Sequence, residues 1–519
     1  MTKQFSNYSD LITFTRASGG HALRPVSYGD ELVTNGTFDT DSDWEKSSHW
    51  TISGGEANHP SSGTYYPLQQ QLSLTSSKVY KITLDITSIT SGTLAVYLRN
   101  PGVSSTELAQ FTTTGSKTII VVANANEDYL AIHRYSGTTL AATIDNVSVK
   151  EVTFDQPDGT LILFEHPNDV PRVEWDSAGN RLGLLVEEAR TNLVPYSEFS
   201  SGWGATRSTL TANAVVSPDR ASNGSSIKAS TDSNDHYISD TLSVTATNTY
   251  TASVFAKAGG KNWFWIWNGS ASTYFDLTSG VVGTVAASNN TSAEIKNLGN
   301  GWYKCSITFD AASSSYVFAL GPAEADSDSV YVGDNSTEEI YIYGAQLEAG
   351  SFPTSYIKSN SGSTTTRSAD VASIPVADFG FNADEGTVVC QVQHFTTESS
   401  TAHAPFGFDD GTSNNRMWYY QNKGQWIGSV SGSTTFSVDA TDPTEGVETK
   451  VGVTYKKDDF TLYLNGSSIG TDTSSNVPVV DTMGIGRVGA SGTELNGHIK
   501  SIKYYPRRLT NAQLQDLTS

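Results

Sequence analysis

Two cysteines in 519 residues exclude a disulfide framework. Cys305 and Cys390 fall in separate candidate modules and read as half-buried strand thiols. Charge is scarce and one-sided. Charged residues make up 17% of the chain, and 54 Asp and Glu against 32 Lys and Arg leave a net charge of −22. Such a surface repels phosphate backbones and anionic lipid, so neither is expected as the main partner. No apolar run spans a bilayer, and residues 1–20 hold no run long enough for a signal peptide, so membrane insertion is not expected. Long apolar stripes at helical spacing are missing, and only the last dozen residues read as a helix. Catalytic signatures are missing as well: there is no HExxH, CxxC pair, P-loop or GxSxG. His394, His403 and His498 stand isolated in the sequence.

What the chain has in quantity is the vocabulary of sheets. Gly numbers 45 and Tyr 24, and Ser, Thr and Val are abundant. That mixture favours strands with polar outer faces. The fold class is all-β, with length for about three domains at ~150 residues each. Alternation is plain in Val79-Tyr80-Lys81-Ile82-Thr83-Leu84 and in Leu94-Ala95-Val96-Tyr97-Leu98. The chain also repeats itself. Leu72-Ser73-Leu74-Thr75 and Tyr80 recur as Leu242-Ser243-Val244-Thr245 and Tyr250 at an offset of 170. Asn35, Phe38 and Trp44 parallel Asn192, Phe199 and Trp203, and Ile144 to Val149 parallels Ile342 to Leu347. Two tandem jelly rolls of common design account for this.

The most distinctive stretch is residues 170–199, VPRVEWDSAGNRLGLLVEEARTNLVPYSEF. Its first half reads as two short strands around a turn at Asp176-Ser177-Ala178-Gly179-Asn180. With TFTRAS at residues 13–18 and GAQLEAGSFPTSYI at residues 344–357, it resembles fibre and spike proteins of tailed bacteriophages, the head-spike-fibre-like group. In that group the first string lies close in sequence to the second. Here some 150 residues separate them, which points to an inserted module. The strand at residues 11–15 is then expected to pair with the region 154–190. The opening NGTFD with Trp44 and the closing IDNVSV resemble the ends of jelly-roll carbohydrate-binding modules. Residues 495–510, LNGHIKSIKYYPRRLT, resemble the end of concanavalin-A-like, laminin-G-like sandwiches, where a strand precedes a short helix, here capped by Thr510 or Asn511.

The resulting plan has six parts. Residues 1–30 form a lead that docks to a particle, and 31–151 an inserted jelly roll. Residues 152–191 are a β-rich connector that completes the docking region. Residues 192–357 are the second jelly roll, 358–370 a flexible linker, and 371–519 the concanavalin-A-like sandwich.

Candidate binding residues are aromatic, because sugar rings offer apolar C–H faces to flat side chains. On one strand Trp263, Trp265 and Trp267 share a face, and Phe264 and Ile266 share the other. One face must be core, and the alternation leaves open which. Trp418, Tyr420 and Trp426 offer a similar case in the third module, as do Trp50 and Tyr65 in the first. Asp39-x-Asp41-x-Asp43 is an alternating acidic run that lacks the rest of an EF-hand. By resemblance to carbohydrate-binding jelly rolls, a structural calcium would be held by Asp39, Asp145 and backbone carbonyls near Asn35. In the second module the place of Asp145 falls near Tyr343, which lacks a carboxylate. Concanavalin-A-like glucanases use a strand with two Glu flanking an Asp. The nearest string, Glu174-Trp175-Asp176, lacks the second Glu and lies outside residues 371–519.

The resemblances imply a protein on the surface of a tailed-phage virion, on head or tail, binding host-surface polysaccharide without catalysis. They also imply capsid or tail proteins as partners, a homo-oligomer such as a trimer, and assembly in the host cytoplasm. Two rivals are a polysaccharide depolymerase on the same scaffold and a capsid decoration protein without ligand.

Overall fold

Apolar–polar alternation resolves into three pairs of stacked sheets. The computed structural model describes residues 12–46, 49–62, 67–156, 159–395, 402–489 and 492–519. It is all-β, 54% strand and 3% helix. In the first jelly roll one sheet runs Gly115–Val122, Val79–Gly92, Leu140–Phe154, Gly20–Glu31, Thr160–His166. The other runs Glu45–Lys46, Leu68–Gln71, Tyr129–Arg134, Leu94–Asn100, Ser104–Phe111. Tyr80, Ile82, Leu84, Leu94, Val96, Ile132 and Val149 fill the space between them.

The second jelly roll repeats this with six strands per sheet. The repeat extends to single hydrogen bonds. The Tyr80 hydroxyl accepts from the Thr75 amide at 2.8 Å, and the Tyr250 hydroxyl accepts from the Thr245 amide at 2.8 Å. The Trp44 indole donates to the Asn35 carbonyl at 3.0 Å, and the Trp203 indole to that of Tyr196 at 3.0 Å. Phe38 and Phe199 both take positive φ, at 51° and 59°. These pairs shift the expected alignment of the openings: Asn35 corresponds to Tyr196. Asn192 corresponds instead to Glu31. Glu31 accepts from the amides of Val33 and Val149, and Asn192 from those of Val194 and Leu347. A backbone bond was the conserved feature, so side-chain identity misled the alignment.

The third sandwich has two seven-stranded sheets. Phe406, Phe408, Tyr419, Trp426, Cys390, Val453 and Leu462 lie between them. Its terminal helix, Asn511–Thr518, carries a capping box between Thr510 and Gln513. The sandwich does not begin at residue 371. Thr13–Thr15 forms the edge of one sheet by pairing with Val371–Pro375, a correction to its expected pairing with the region 154–190. It is the next strand, Gly20–Glu31, that pairs with Thr160–His166. The hairpin Arg172–Trp175 and Arg181–Val186 extends the other sheet, pairing with Gly497–Tyr505. The region 152–191 is therefore no separate connector: its first strand belongs to the first jelly roll and its hairpin to the third sandwich. Both jelly rolls are inserted between strands of one sandwich. Gly183, with φ of 127°, permits the hairpin's approach, since a Cβ there would lie 2.3 Å from the Ile499 carbonyl oxygen.

The expected linker is also ordered. Thr365–Arg367 pairs with Arg190–Asn192, and Arg367 and Asp370 are 1% and 0% exposed. Polar composition suggested flexibility, but these side chains enter a buried charge cluster where residues of the stretches 13–18, 170–199 and 344–357 meet. Arg16 lies 3.0 Å from Asp370, and Arg172 pairs with both Asp370 and Glu187, at 2.8 Å for the latter. Arg367 reaches Glu187 at 3.4 Å. Ser355 donates its amide and hydroxyl to Glu187 at 2.7 and 2.6 Å. Burial disfavours the Glu187 carboxylate, but Arg367 and Arg172 outweigh it and hold its pKa far below the usual range. Nearby, Gly350 makes room for Arg190, which pairs with Glu188, for a Cβ there would fall 1.6 Å from Arg190 Nη1. Removing one member of such a cluster strands its partners in an apolar interior, at a cost of about 3–5 kcal/mol.

Candidate functional site

The two faces of the tryptophan strand separate cleanly. Phe264 and Ile266 are fully buried in the core of the second jelly roll. Trp263, Trp265 and Trp267 therefore point outward, away from the partner sheet. The adjacent strand Ser272–Asp276 adds Tyr274 to the same face, and Tyr237 joins it from beyond strand Ser315–Ala323, where these aromatics pack with Ala319 and Ala323. Trp265 sits opposite Gly321 on one side and Tyr274 on the other. Its indole donates to the Pro322 carbonyl at 3.0 Å and meets the Tyr237 ring edge-on at 5.9 Å. It is only 4% exposed, so it underlies the surface while Trp263 and Trp267 are half-buried at either end. Gly283 makes room for the Trp263 ring and Asp326, as a Cβ there would fall 2.6 Å from the ring and 2.5 Å from Asp326 Oδ1. Polar groups rim the row. Asp276 stands opposite Trp263, Ser272 opposite Trp267, and the Arg207 guanidinium lies 5.8 Å from the Tyr237 ring centre. Burial opposes the Asp276 charge, but bonds from Ser279 and Thr278 lower its pKa and keep it ionised.

The other candidates divide. Trp418 and Tyr420 lie on the outer face of the third sandwich, edge to face at 5.2 Å, with the Arg416 guanidinium 3.9 Å above the Trp418 ring. Trp418 is only 3% exposed. Trp426 is a correction: it is wholly buried between the sheets, with its indole donating to the Thr454 carbonyl at 3.2 Å. Its neighbouring strand is offset by one residue, so it faces inward where Trp418 faces out. Trp50 is likewise core, 2% exposed. Tyr65 lies outside the described residues. The outer face of the first jelly roll instead carries Tyr97, stacked on His133 at 4.2 Å and 13°. Burial lowers the His133 pKa to about 4, which leaves the ring neutral at neutral pH.

The calcium candidates are placed as follows. Asp39 accepts from the Thr37 hydroxyl at 2.7 Å, and Asp145 from the Asn146 amide at 2.6 Å. The Asn35 side chain donates to the carbonyls of Thr40 and Ser42 at 2.7 and 3.0 Å. Among the described residues no three His, Cys, Asp or Glu side chains gather at metal-binding distance. Both thiols are buried, which pushes their pKa values up.

Glu174 corrects another expectation, because its hairpin is part of the third sandwich. It bonds His498 at 2.7 Å and lies 3.9 Å from Lys296. Burial opposes its charge, but Lys296 and His498 outweigh it and bring its pKa to about 2. Asp176 does not join it. That carboxylate closes the turn, accepting from the amides of Ala178 and Asn180.

Sequence reasoning missed Tyr237, Tyr274 and Arg416. Their signal was local alternation, Tyr237 before Ile238 and Tyr274 before Phe275, but their meeting with Trp265 depends on strand order.

Residues 366–515 match the Concanavalin A-like lectin/glucanases superfamily. The C-terminal sandwich is a concanavalin-A-like domain. In this chain that domain also takes in Thr13–Thr15 and the hairpin from Arg172 to Val186, which lie outside the matched residues. No curated protein matches the sequence. Among solved structures, domain 4 of AbnA, an extracellular arabinanase of Geobacillus stearothermophilus, is 15% identical over 29% of this chain and 73% of its own, with a TM-score of 0.24. The tandem CBM22 domains of Xyn10C from Paenibacillus barcinonensis are 12% identical over 62% and 98%, with a TM-score of 0.20. Domains LG4-5 of mouse laminin α1 are 10% identical over 53% and 86%, with a TM-score of 0.20. Likeness this distant carries no residue roles from those proteins to this chain.

Proposed function

We propose that this chain is a non-catalytic, glycan-binding protein of a tailed-phage virion surface, a fibre, spike or decoration on head or tail. One observation carries the glycan reading: the row of Tyr237, Trp263, Trp265, Trp267 and Tyr274 faces outward while Phe264 and Ile266 fill the core. A pyranose stacks its C–H face on such a row, and Asp276, Ser272 and Arg207 take its hydroxyls. The virion assignment rests on the resemblance of the three strings to phage fibre proteins. With it come capsid or tail partners, a multivalent homo-oligomer in which weak sites gain by linkage, and host-surface polysaccharide as ligand. A calcium ion shared by Asp39 and Asp145 would tie the opening loop of the first jelly roll to its closing strand.

The test is binding of purified protein to host capsule and lipopolysaccharide, with released sugar assayed in parallel. Saturable binding without release is expected, with at least a tenfold loss in the W263A/W267A double variant. Unchanged binding in that variant overturns the platform, and released oligosaccharide overturns the non-catalytic reading in favour of a depolymerase.

A further inference from the structure

A cavity of about 450 Å³ lies between the two jelly rolls, within the ~300–1,000 Å³ range of small-molecule sites, which favour such junctions. Its walls differ in kind. The first jelly roll contributes Val79, Leu108, Phe111, Ile120, Ile162 and Phe164. The second contributes Glu198, Asp219, Asn223, Tyr343 and Lys358, and Glu165 of the first jelly roll's strand Thr160–His166 stands at the rim.

The polar wall is built from beneath. The Tyr343 hydroxyl lies 3.1 Å from Glu198 Oε1 and 2.9 Å from Asp219 Oδ2. Asn223 Nδ2 reaches the same two oxygens at 3.3 and 3.0 Å. Lys358 Nζ lies 2.8 Å from Glu198 Oε1. Burial disfavours this ammonium, but Glu198, Asp219 and Glu165 outweigh it and raise its pKa above the ordinary lysine value. Tyr343 occupies the position that Asp145 holds in the first repeat, and its hydroxyl ties the closing strand of the second repeat to Glu198 of the opening loop, with Lys358 paired to the same carboxylate.

Part of this wall remains available. The Lys358 and Glu165 side chains are 43% and 52% exposed. The walls are also pinned to each other. Thr118 and Ser222 exchange two hydrogen bonds at 2.8 and 2.9 Å. The Leu163 amide donates to the Pro218 carbonyl at 2.9 Å, and Arg220 to that of Leu161. A ligand entering a cavity fixed in this way orders little on binding.

We propose that this junction is a second saccharide site, which takes its ligand class from the glycan-binding reading and is independent of the tryptophan row. One ring face lies on the Val79, Ile120 and Phe164 wall, and the hydroxyls meet Lys358 and Glu165. Three carboxylates against one ammonium leave the wall net negative, which selects a neutral saccharide over an acidic one.

The test is calorimetry and saturation-transfer NMR on the full chain with maltotriose, cellotriose, xylotriose, chitobiose and a glucuronic acid disaccharide. The variants are K358M, V122W to fill the cavity from its rim, and W263A/W267A. Val122 is 42% exposed, so V122W keeps the test valid if K358M fails to fold. The expected result is a neutral-sugar site that survives W263A/W267A and weakens at least tenfold in V122W and in folded K358M. Binding that V122W leaves unchanged, preference for the acidic sugar, or no saturable binding across the panel overturns the proposal. Loss in W263A/W267A alone removes this site and leaves the tryptophan row standing. Loss in V122W alone does the reverse.

Discussion

The two jelly rolls share their inward residues and their end fastenings, and differ where they face out. Leu94 and Val96 in the first correspond to Phe264 and Ile266 in the second, and all four are buried. The outward residues that follow each are Ala95 and Tyr97 in one, Trp265 and Trp267 in the other. The Tyr80 and Tyr250 hydroxyls bind the equivalent amide in each. A sandwich constrains the faces turned to its core and the groups that close its ends. Outward positions on the sheet are free to acquire a binding role, and only the second jelly roll sets tryptophan there.

Core truncation should break both copies alike. L94A and F264A should each cost about 2–5 kcal/mol, read as a lowered midpoint in thermal or urea unfolding. A cost confined to one copy would mean that the shared interior does not bear equally in both.

Acid should separate them. His133 has a folded pKa of about 4 against 6.5 unfolded, lowered by burial. Its contribution to stability is whole above pH 6.5 and falls away as pH drops from 6.5 toward 4, by about 1.4 kcal/mol per unit. His59, also in the first jelly roll, is shifted the same way by burial. Hydrogen exchange at pH 4.5 should therefore rise in Leu94–Asn100 and Tyr129–Arg134 before Trp263–Trp267. At the junction, the Glu174 pKa is lowered from 4.5 to about 2. Its contribution is whole above pH 4.5 and is lost only as pH falls toward 2.

The tyrosine bonds sharpen the likeness. Y80F and Y250F each leave a backbone amide without its acceptor, at about 1–2 kcal/mol apiece, and the two losses should agree within error in equilibrium unfolding. The smallest expected effect separates the copies again. Under the calcium proposal, a chelator should lower the unfolding midpoint of the first jelly roll by a few degrees. It should leave the second, where Lys358 supplies the positive charge, unmoved. Calorimetric scans with and without chelator decide this.

Much of the fold was legible in the sequence. Strand alternation, the offset of 170, the capped terminal helix and the three modules all follow from local pattern. The site was half legible. The strand Trp263–Trp267 announced two faces, but alternation is symmetric and does not say which is wet. Trp426 shows the same limit, since a tryptophan serves core and surface equally well. The connector and the linker were misread because their residues act at long range: Arg16, Arg172 and Asp370 lie far apart in sequence and meet only in the folded chain.

By itself, the sequence determined that this protein is built of sheets, that one design occurs twice, and which side chains share a strand face, because these depend on the two-residue period of a strand. Only the tertiary structure decided that one concanavalin-A-like sandwich is assembled from three separate stretches of chain, that the tryptophan row faces outward, and that residues from the three distant strings close a buried ionic cluster. Those outcomes depend on which strands neighbour one another, and hydrogen bonds between strands carry no mark in either strand's own sequence.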